Sequence, residues 1–147
     1  MTIEEVQQEI IADFSAYEDW MDKYTYLIEL GNELKPIDDA YKNDQNLIRG
    51  CQSRVWLQQK MDGDHLIFEA ESDALIVKGL VALLLKVLSD RTPQEILDAD
   101  PYFIDAIGLR QHLSPTRSNG LMAMVKQIKL YAPVSYTHLT LPTIYSV

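Results

Sequence analysis

The side chain best suited to chemistry in this 147-residue sequence is its single cysteine, Cys51. A thiol attacks as the thiolate, and the ordinary pKa of a free cysteine is about 8.5. Neighbouring residues could favour that anion, donate hydrogen bonds to it or let the backbone bend beside it: Arg49, Gly50, Gln52, Ser53 and Arg54. The segment therefore predicts a nucleophilic thiol on a loop. The alternative is a small, buried and inert side chain.

Composition and charge narrow the class of protein. The chain is 47% hydrophobic and 24% charged, which fits one compact domain with a real core. Residues 1–45 contain 12 acidic residues against three lysines, while the rest of the chain is balanced. This acidic third is either a solvated helical face or a surface for a basic protein partner. No cluster of lysines and arginines could neutralise phosphates, which argues against nucleic-acid binding.

No segment of the sequence is expected to target or span a membrane. Met1 leads into the polar stretch Thr2-Ile3-Glu4-Glu5, which is unlike a signal peptide. The longest apolar run, residues 80–85, is too short to cross a bilayer. A single cysteine also excludes an internal disulfide and a thiolate metal cage. We therefore expect a soluble, cytoplasmic protein.

A small antiparallel sheet is predicted to carry the cysteine loop. Residues 54–61 and 65–71 have the composition of strands, and Asp62-Gly63-Asp64 between them is a turn signal. Leu47-Ile48-Arg49 is predicted to form a third, short strand upstream. Such a sheet must bury one face under helices. The expected fold class is therefore α+β, with a three-stranded antiparallel sheet packed against several helices.

Helices are predicted on both sides of this sheet along the chain. In the N-terminal third, Thr2 and Glu5 form a capping box, and a second helix should cover residues 20–30. Residues 75–88 are apolar nearly all round, so this helix should be central and buried, with Asp73 as its N-cap. Further helix starts are marked by two capping sequences: Thr92-Pro93-Gln94-Glu95 and Ser114-Pro115, the latter opening a helix that should end near Tyr131.

The last residues of the sequence break this pattern. No charged residue follows Lys129, and β-branched and aromatic residues lie between Pro133 and Pro142. We interpret residues 133–147 as a non-native or disordered tail, with an added edge strand as the alternative. The expected organisation is a single domain over residues 1–132 followed by this tail.

Three sequence blocks, in order over residues 5–131, carry a resemblance to a known family. They are Gly50-Cys51-Gln52-Ser53-Arg54-Val55-Trp56; Asp73-Ala74-Leu75-Ile76-Val77-Lys78-Gly79-Leu80, followed by Thr92-Pro93-Gln94-Glu95-Ile96; and His112-Leu113-Ser114-Pro115-Thr116-Arg117-Ser118-Asn119-Gly120-Leu121. These blocks resemble the SufE family, the sulfur-acceptor proteins of iron–sulfur cluster assembly. The resemblance implies a SufE/NifU-like fold with Cys51 as the reactive residue.

The resemblance also implies a mechanism, that of a sulfurtransferase-like acceptor rather than a stand-alone enzyme. A PLP-dependent cysteine desulfurase (SufS-like) would hold sulfur as a persulfide, and the Cys51 thiolate would attack its outer sulfur. This transfer would activate the desulfurase, and the Cys51 persulfide would deliver sulfur to an Fe–S scaffold complex (SufBCD-like). No cofactor or metal is expected on this chain, because PLP belongs to the partner.

Other residues are expected to support transfer or partner binding. By resemblance, Asp73 lies near the desulfurase contact and Arg117 takes part in partner binding, while His112 could act as an acid or base. Each has a plainer alternative: a helix cap, a surface arginine and a histidine that satisfies a loop backbone. The resemblance further suggests that the sulfur can rest in an apolar cavity, with Trp56 and the helix from Leu75 as candidate walls.

Two other functions compete with the sulfur acceptor. One is a cysteine hydrolase that uses Cys51 and His112, although the sequence supplies neither a third orienting residue nor an oxyanion motif. The other is an adaptor or regulatory binding protein of a desulfurase, with a non-catalytic thiol and the acidic N-terminal helices as its docking surface. Whether Cys51 gains sulfur separates the acceptor from both competitors.

Overall fold

Helices surround a two-stranded antiparallel sheet in the computed structural model, which describes residues 1–48 and 53–139, with side chains to Ala132. Two helices and a short 3₁₀ turn at Asp39–Tyr41 precede the two strands, and five helices follow them in the described part of the chain. The elements are α1 (Ile3–Ser15), α2 (Trp20–Asn32), β1 (Val55–Asp62), β2 (His65–Ser72), α3 (Leu75–Leu88), α4 (Pro93–Asp98), α5 (Phe103–Ala106), α6 (Leu109–His112) and α7 (Pro115–Leu139).

Helix α3 is the centre of the fold, as the apolar run over residues 75–88 predicts. It packs against α1, α2, α7 and the strand β2, so most of its circumference is covered. An all-round apolar helix is stable only in such surroundings, because each exposed apolar face would cost hydration free energy. Its buried residues are Val77, Gly79, Leu80, Val81, Leu83, Leu84, Val87 and Leu88.

Two glycines allow α2 and α3 to cross in direct backbone contact. A Cβ atom placed on Gly31 would lie 2.7 Å from the backbone nitrogen of Gly79. A Cβ atom on Gly79 would collide with the carbonyl oxygen of Leu27. Neither obstacle is the end of a flexible side chain, so the two helices would have to separate to admit a methyl group.

The hairpin of β1 and β2 forms the sheet that α3 covers. The register pairs Val55 with Ser72 at one end and Asp62 with His65 at the other. Gly63 has a φ of 64°, and this left-handed conformation makes the tight turn that the sequence predicts. Alternate residues of β2 face the core, so a shift of the register by one residue would expose them. These residues are Leu66, Phe68, Ala70 and Ser72.

The predicted third strand is not confirmed, although the α+β class is. Leu47 forms only an isolated antiparallel bridge with Trp56, and the described residues contain a two-stranded sheet. Upstream, the ladder cannot extend because Asn43 and Asn46 form a turn, with the backbone N–H of Asn46 donating to the carbonyl oxygen of Asn43. Arg49, the last residue of the predicted strand, lies outside the described residues.

The helix starts follow the predicted capping sequences. In α1, the backbone N–H of Glu5 donates to Thr2 Oγ1 over 3.1 Å, and Thr2 N–H donates to the carboxylate of Glu5 over 3.0 Å. Thr92 and Glu95 make the same reciprocal pair at α4. Each box satisfies donors that a helix start otherwise leaves without partners. Both capping boxes are confirmed.

The last helix is longer than predicted. It continues to Leu139 instead of ending near Tyr131, so residues 133–139 are helical and do not form an edge strand. Helices commonly end at a Gly or Asn, and neither occurs in residues 132–138, so this stretch lacks the usual stop signal. No helix in the described part of the chain combines the length and apolar character that crossing a membrane requires.

Replacing Gly79 with alanine tests the helix crossing. Glycine to alanine inside a helix normally stabilises by about 1 kcal/mol. Here we expect a loss of about 3 kcal/mol, because the methyl group forces α2 away from α3. The measurement is urea unfolding followed by circular dichroism. A control, Leu75→Ala on the exposed side of the same helix, should change stability little. Unchanged or increased stability of Gly79→Ala would contradict the close crossing.

Candidate functional site

The cysteine segment, residues 49–54, lies between two residues that are hydrogen-bonded to each other, Ile48 and Val55. The backbone N–H of Ile48 donates to the carbonyl oxygen of Val55 over 2.8 Å, and Leu57 N–H donates to Asn46 O over 2.8 Å. Cys51 itself, with Arg49, Gly50 and Gln52, lies outside the described residues. Chain connectivity alone keeps its Cα atom within about 7.6 Å of that of Ser53, at about 3.8 Å per residue.

Three hydrogen bonds fix the peptide groups of Arg54, where the segment joins β1. The Ser72 hydroxyl donates to the Arg54 carbonyl oxygen over 2.8 Å, and the Asp73 N–H donates to the same oxygen over 3.3 Å. The Arg54 N–H donates to Asp73 Oδ1 over 3.2 Å. The end of β2 and the start of α3 therefore hold the C-terminal end of the cysteine segment in place.

These bonds correct the predicted role of Asp73 as the N-cap of α3. The N-cap is Ala74, which makes no side-chain capping bond. The carboxylate of Asp73 instead turns back to the Arg54 N–H, because the hairpin brings that donor alongside. The Ala74 N–H donates to Ser72 Oγ over 3.3 Å. The exposed side chain of Asp73 therefore bonds the cysteine segment and does not cap the helix.

A cavity of about 380 Å³ adjoins Ser53 between α3 and the start of α7. Cavities that bind small ligands have volumes of about 300–1,000 Å³, so this one is large enough for several side-chain atoms. Buried apolar side chains form its floor, and polar groups lie at its rim. The described lining residues are Ser53, Val77, Leu80, Ser114, Thr116, Arg117, Gly120, Leu121 and Met124.

Of the two predicted walls, the helix from Leu75 lines this cavity and Trp56 is not among its described lining residues. Val77 and Leu80 bring α3 to the cavity. Trp56, the other candidate wall, is not among the described lining residues; its indole lies 5.9 Å from Lys42 Nζ, in a cation–π arrangement. Its place in β1 explains the difference, because neighbouring strand residues point to opposite faces, and it is Val55 and Leu57 that point into the core.

Arg117 places a positive charge at the rim of the cavity. Its backbone N–H donates to Ser114 Oγ over 3.3 Å, which confirms Ser114 as the cap of α7. Within the described residues, the guanidinium groups of Arg117 and Arg54 have no ion-pair or hydrogen-bond partner, and both side chains are exposed. Arg117 is thus available to an anion that enters the cavity or to an acidic group on a partner.

His112 is held in a structural arrangement. Its Nδ1 atom lies 2.9 Å from the Gly108 carbonyl oxygen, and because that oxygen only accepts, Nδ1 carries the proton. The imidazole stacks on the Trp20 indole with ring centroids 3.9 Å apart, and the Tyr24 hydroxyl donates to the His112 carbonyl oxygen. The geometry supports the alternative that this histidine satisfies a loop backbone, here by joining α6 to α2.

Ser72 is the residue beside the site that the sequence analysis missed. It is buried, with 5% of its surface exposed, and it bonds the segment directly. One signal was available: the alternation of β2 places Ser72 on the core face, where a serine needs a hydrogen-bond partner. The structure brings four of the residues considered in the sequence analysis to one end of the fold: Ser53, Arg54, Asp73 and Arg117.

The described residues offer no cluster of side chains suited to a metal ion. Within residues 1–48 and 53–139, no group of three or more His, Cys, Asp and Glu side chains is arranged to hold one. Two exposed carboxylates lie beside His65: Asp90 Oδ1 is 2.9 Å from its Nδ1 atom and Asp64 Oδ1 is 3.7 Å from its Nε2 atom. They raise the pKa of the imidazole, chiefly through the hydrogen bond to Asp90.

Comparisons with known proteins give one family and one fold. The model of the SufE family, described as an Fe-S metabolism associated domain, matches residues 8–132. The solution structure of a hypothetical protein from Thermus thermophilus is similar, with a TM-score of 0.74 and 19% sequence identity. The alignment covers 90% of this chain and 96% of that one. At this identity the second similarity shows the fold alone.

Replacing His112 with alanine separates a structural role from an acid–base role. We expect a loss of stability of about 1–2 kcal/mol, because the stack on Trp20 and the bond to Gly108 are removed. The pH dependence of Cys51 alkylation should stay unchanged. A shift of that profile, with the variant folded, would show that the imidazole acts on the thiol. Lys126→Ala, an exposed position on α7, provides the control.

Proposed function

This chain belongs to the SufE family of Fe-S metabolism associated domains, and we propose on that basis that it accepts sulfur on Cys51 from a cysteine desulfurase. The family establishes the association with Fe–S metabolism. The proposal adds the finer claims: a persulfide on Cys51, activation of a PLP-dependent desulfurase (SufS-like), and delivery to an Fe–S scaffold complex (SufBCD-like).

The transfer step is a thiol–persulfide exchange. The Cys51 thiolate attacks the outer sulfur of the partner's cysteine persulfide, and a new sulfur–sulfur bond forms on Cys51. The bond between the two sulfurs of the donor persulfide breaks, and the donor cysteine leaves as a thiolate that can take up a proton. The sulfane sulfur keeps its oxidation state, so this step needs neither an oxidant nor a reductant.

The observation that carries the proposal is the attachment of the cysteine segment at both ends, beside a cavity. Exchange requires the attacking sulfur, the outer sulfur and the leaving sulfur to align, so the thiol must be presented in a limited set of positions. The bonded pair of Ile48 and Val55 and the bonds to Arg54 limit where the segment begins and ends. We propose that the thiol on this segment can meet a donor without unfolding of the core.

The cavity supports a second part of the proposal, protection of the resting sulfur. Its floor is formed by buried apolar side chains, among them Leu80, Leu121 and Met124. An apolar environment disfavours the thiolate and therefore slows reaction with oxidants and small electrophiles. Arg117 at the rim supplies a positive charge where the sulfur would leave the cavity. We propose that a docked desulfurase draws the thiol from this cavity.

The adaptor is the alternative that the acidic N-terminal helices favour. The exposed faces of α1 and α2 carry carboxylates, among them Glu4, Glu9, Asp22 and Glu29. A desulfurase could be recruited by charge alone, with Cys51 inert. The hydrolase alternative has less support, because His112 is not among the described residues that line the cavity beside Ser53.

Incubation with a cysteine desulfurase and free cysteine tests the proposal. We expect the intact mass of the protein to increase by one sulfur atom, and a reductant should remove it. Because Cys51 is the single cysteine, protein alkylated beforehand is a matched control. Cys51→Ser should gain no sulfur and should not stimulate the desulfurase, yet should still bind it. Binding by the unmodified protein without any gain of sulfur would favour the adaptor and contradict the proposal.

A further inference from the structure

The Ser72 hydroxyl joins three elements at the C-terminal end of the cysteine segment. It donates to the Arg54 carbonyl oxygen over 2.8 Å and accepts from the Ala74 N–H over 3.3 Å. Ser72 itself ends β2, Arg54 precedes β1 and Ala74 is the N-cap of α3. One buried oxygen atom therefore connects the segment to the sheet and to the central helix.

A polar side chain at this position requires an explanation. The other core-facing residues of β2 are apolar: Leu66, Phe68 and Ala70. Gln7 and Ser72 are the polar residues that are buried in the described part of the chain. A buried hydroxyl is costly unless it is hydrogen-bonded, and here both its donor and its acceptor functions are used. Without the hydroxyl, the Arg54 carbonyl oxygen would keep the weaker bond from Asp73 N–H.

We propose that Ser72 is a positioning residue for sulfur transfer to Cys51. Its hydroxyl fixes the Arg54 peptide and so sets the direction in which the chain leaves β1 toward Ser53 and the thiol. The bonds that carry this effect go to the Arg54 carbonyl oxygen and the Ala74 N–H, so the effect passes through the backbone of the segment. The inference rests on the proposed acceptor function, because positioning matters only if Cys51 reacts.

The chain offers a matched control for this inference in Ser89. Its hydroxyl accepts from the Phe68 N–H over 2.8 Å and donates to the Phe68 carbonyl oxygen over 3.4 Å. Ser89 therefore also joins β2 to α3, but as the C-cap at the opposite end of that helix. Ser72→Ala and Ser89→Ala should cost similar stability, while only the first loosens the cysteine segment.

The experiment compares Ser72→Ala, Ser89→Ala and Ser72→Thr with the unmodified protein. Sulfur uptake from a cysteine desulfurase is measured as kcat and KM for the acceptor, and Cys51 alkylation by iodoacetamide is measured without a partner. Ser72→Ala should lower kcat about fivefold at unchanged KM, and alkylation should become about fivefold faster; this is the factor for one lost hydrogen bond of about 1 kcal/mol. Ser89→Ala should change neither, and Ser72→Thr should restore both because it keeps the hydroxyl.

Several results would overturn the inference. If Ser72→Ala and Ser89→Ala change kcat and the alkylation rate equally, Ser72 contributes only to stability. If neither variant changes these rates, Ser72 does not position the thiol. A folded Ser72→Thr that behaves like Ser72→Ala would show that the hydroxyl is not what matters. If the unmodified protein takes up no sulfur at all, the acceptor function fails, and the alkylation rates alone still decide whether Ser72 positions the thiol.

Amide hydrogen exchange in the unmodified protein covers the case in which a variant does not fold. If Ser72 holds this junction, the Ala74 N–H, which donates to Ser72 Oγ, and the Asp73 N–H, which donates to the Arg54 carbonyl oxygen, should exchange about as slowly as the amides in the ladder between β1 and β2. Exchange of both amides at the rate of unprotected amides would show that Ser72 does not hold the Arg54 peptide, and the inference would then be wrong.

Discussion

Hydrogen bonds at the two ends of the cysteine segment fix where that segment joins the rest of the fold. A reactive thiol must move enough to meet a partner, yet must return to a defined place. The pairing of Ile48 with Val55 gives the segment a common base, and Ser72 and Asp73 hold the Arg54 peptide. The short distance between these anchors limits, through chain length alone, the volume that the sulfur can reach.

Helix α3 connects this constraint to the stability of the whole domain. At its start, Ala74 is bonded to the same hydroxyl that holds Arg54. One turn on, Val77 and Leu80 line the cavity, and Gly79 lies against α2. The helix that forms the core thus also positions one wall of the site. A substitution that displaces α3 therefore changes the cavity and the anchor of the cysteine segment together.

Local signals in the sequence predict the elements well but not the contacts between them. The bounds of α3 and the capping box at Thr92 follow from neighbouring residues, and both are confirmed. The sequence assigns Asp73 to the wrong partner because its carboxylate is used by Arg54, 19 positions away. The bridge at Leu47 and the role of Ser72 depend in the same way on how the hairpin meets its neighbours. The sequence predicts the site at Cys51 because this residue is the single thiol of the chain.

A single-turnover experiment tests the central claim, that sulfur passes directly from the donor cysteine to Cys51. A desulfurase loaded with labelled sulfur is mixed with this protein and quenched at successive times. We expect the label to leave the desulfurase and to arrive on Cys51 with the same rate constant, and Cys51→Ser to abolish the fast phase. Loss of label to solution as sulfide, at a rate that is the same with Cys51→Ser, would rule out direct transfer to Cys51.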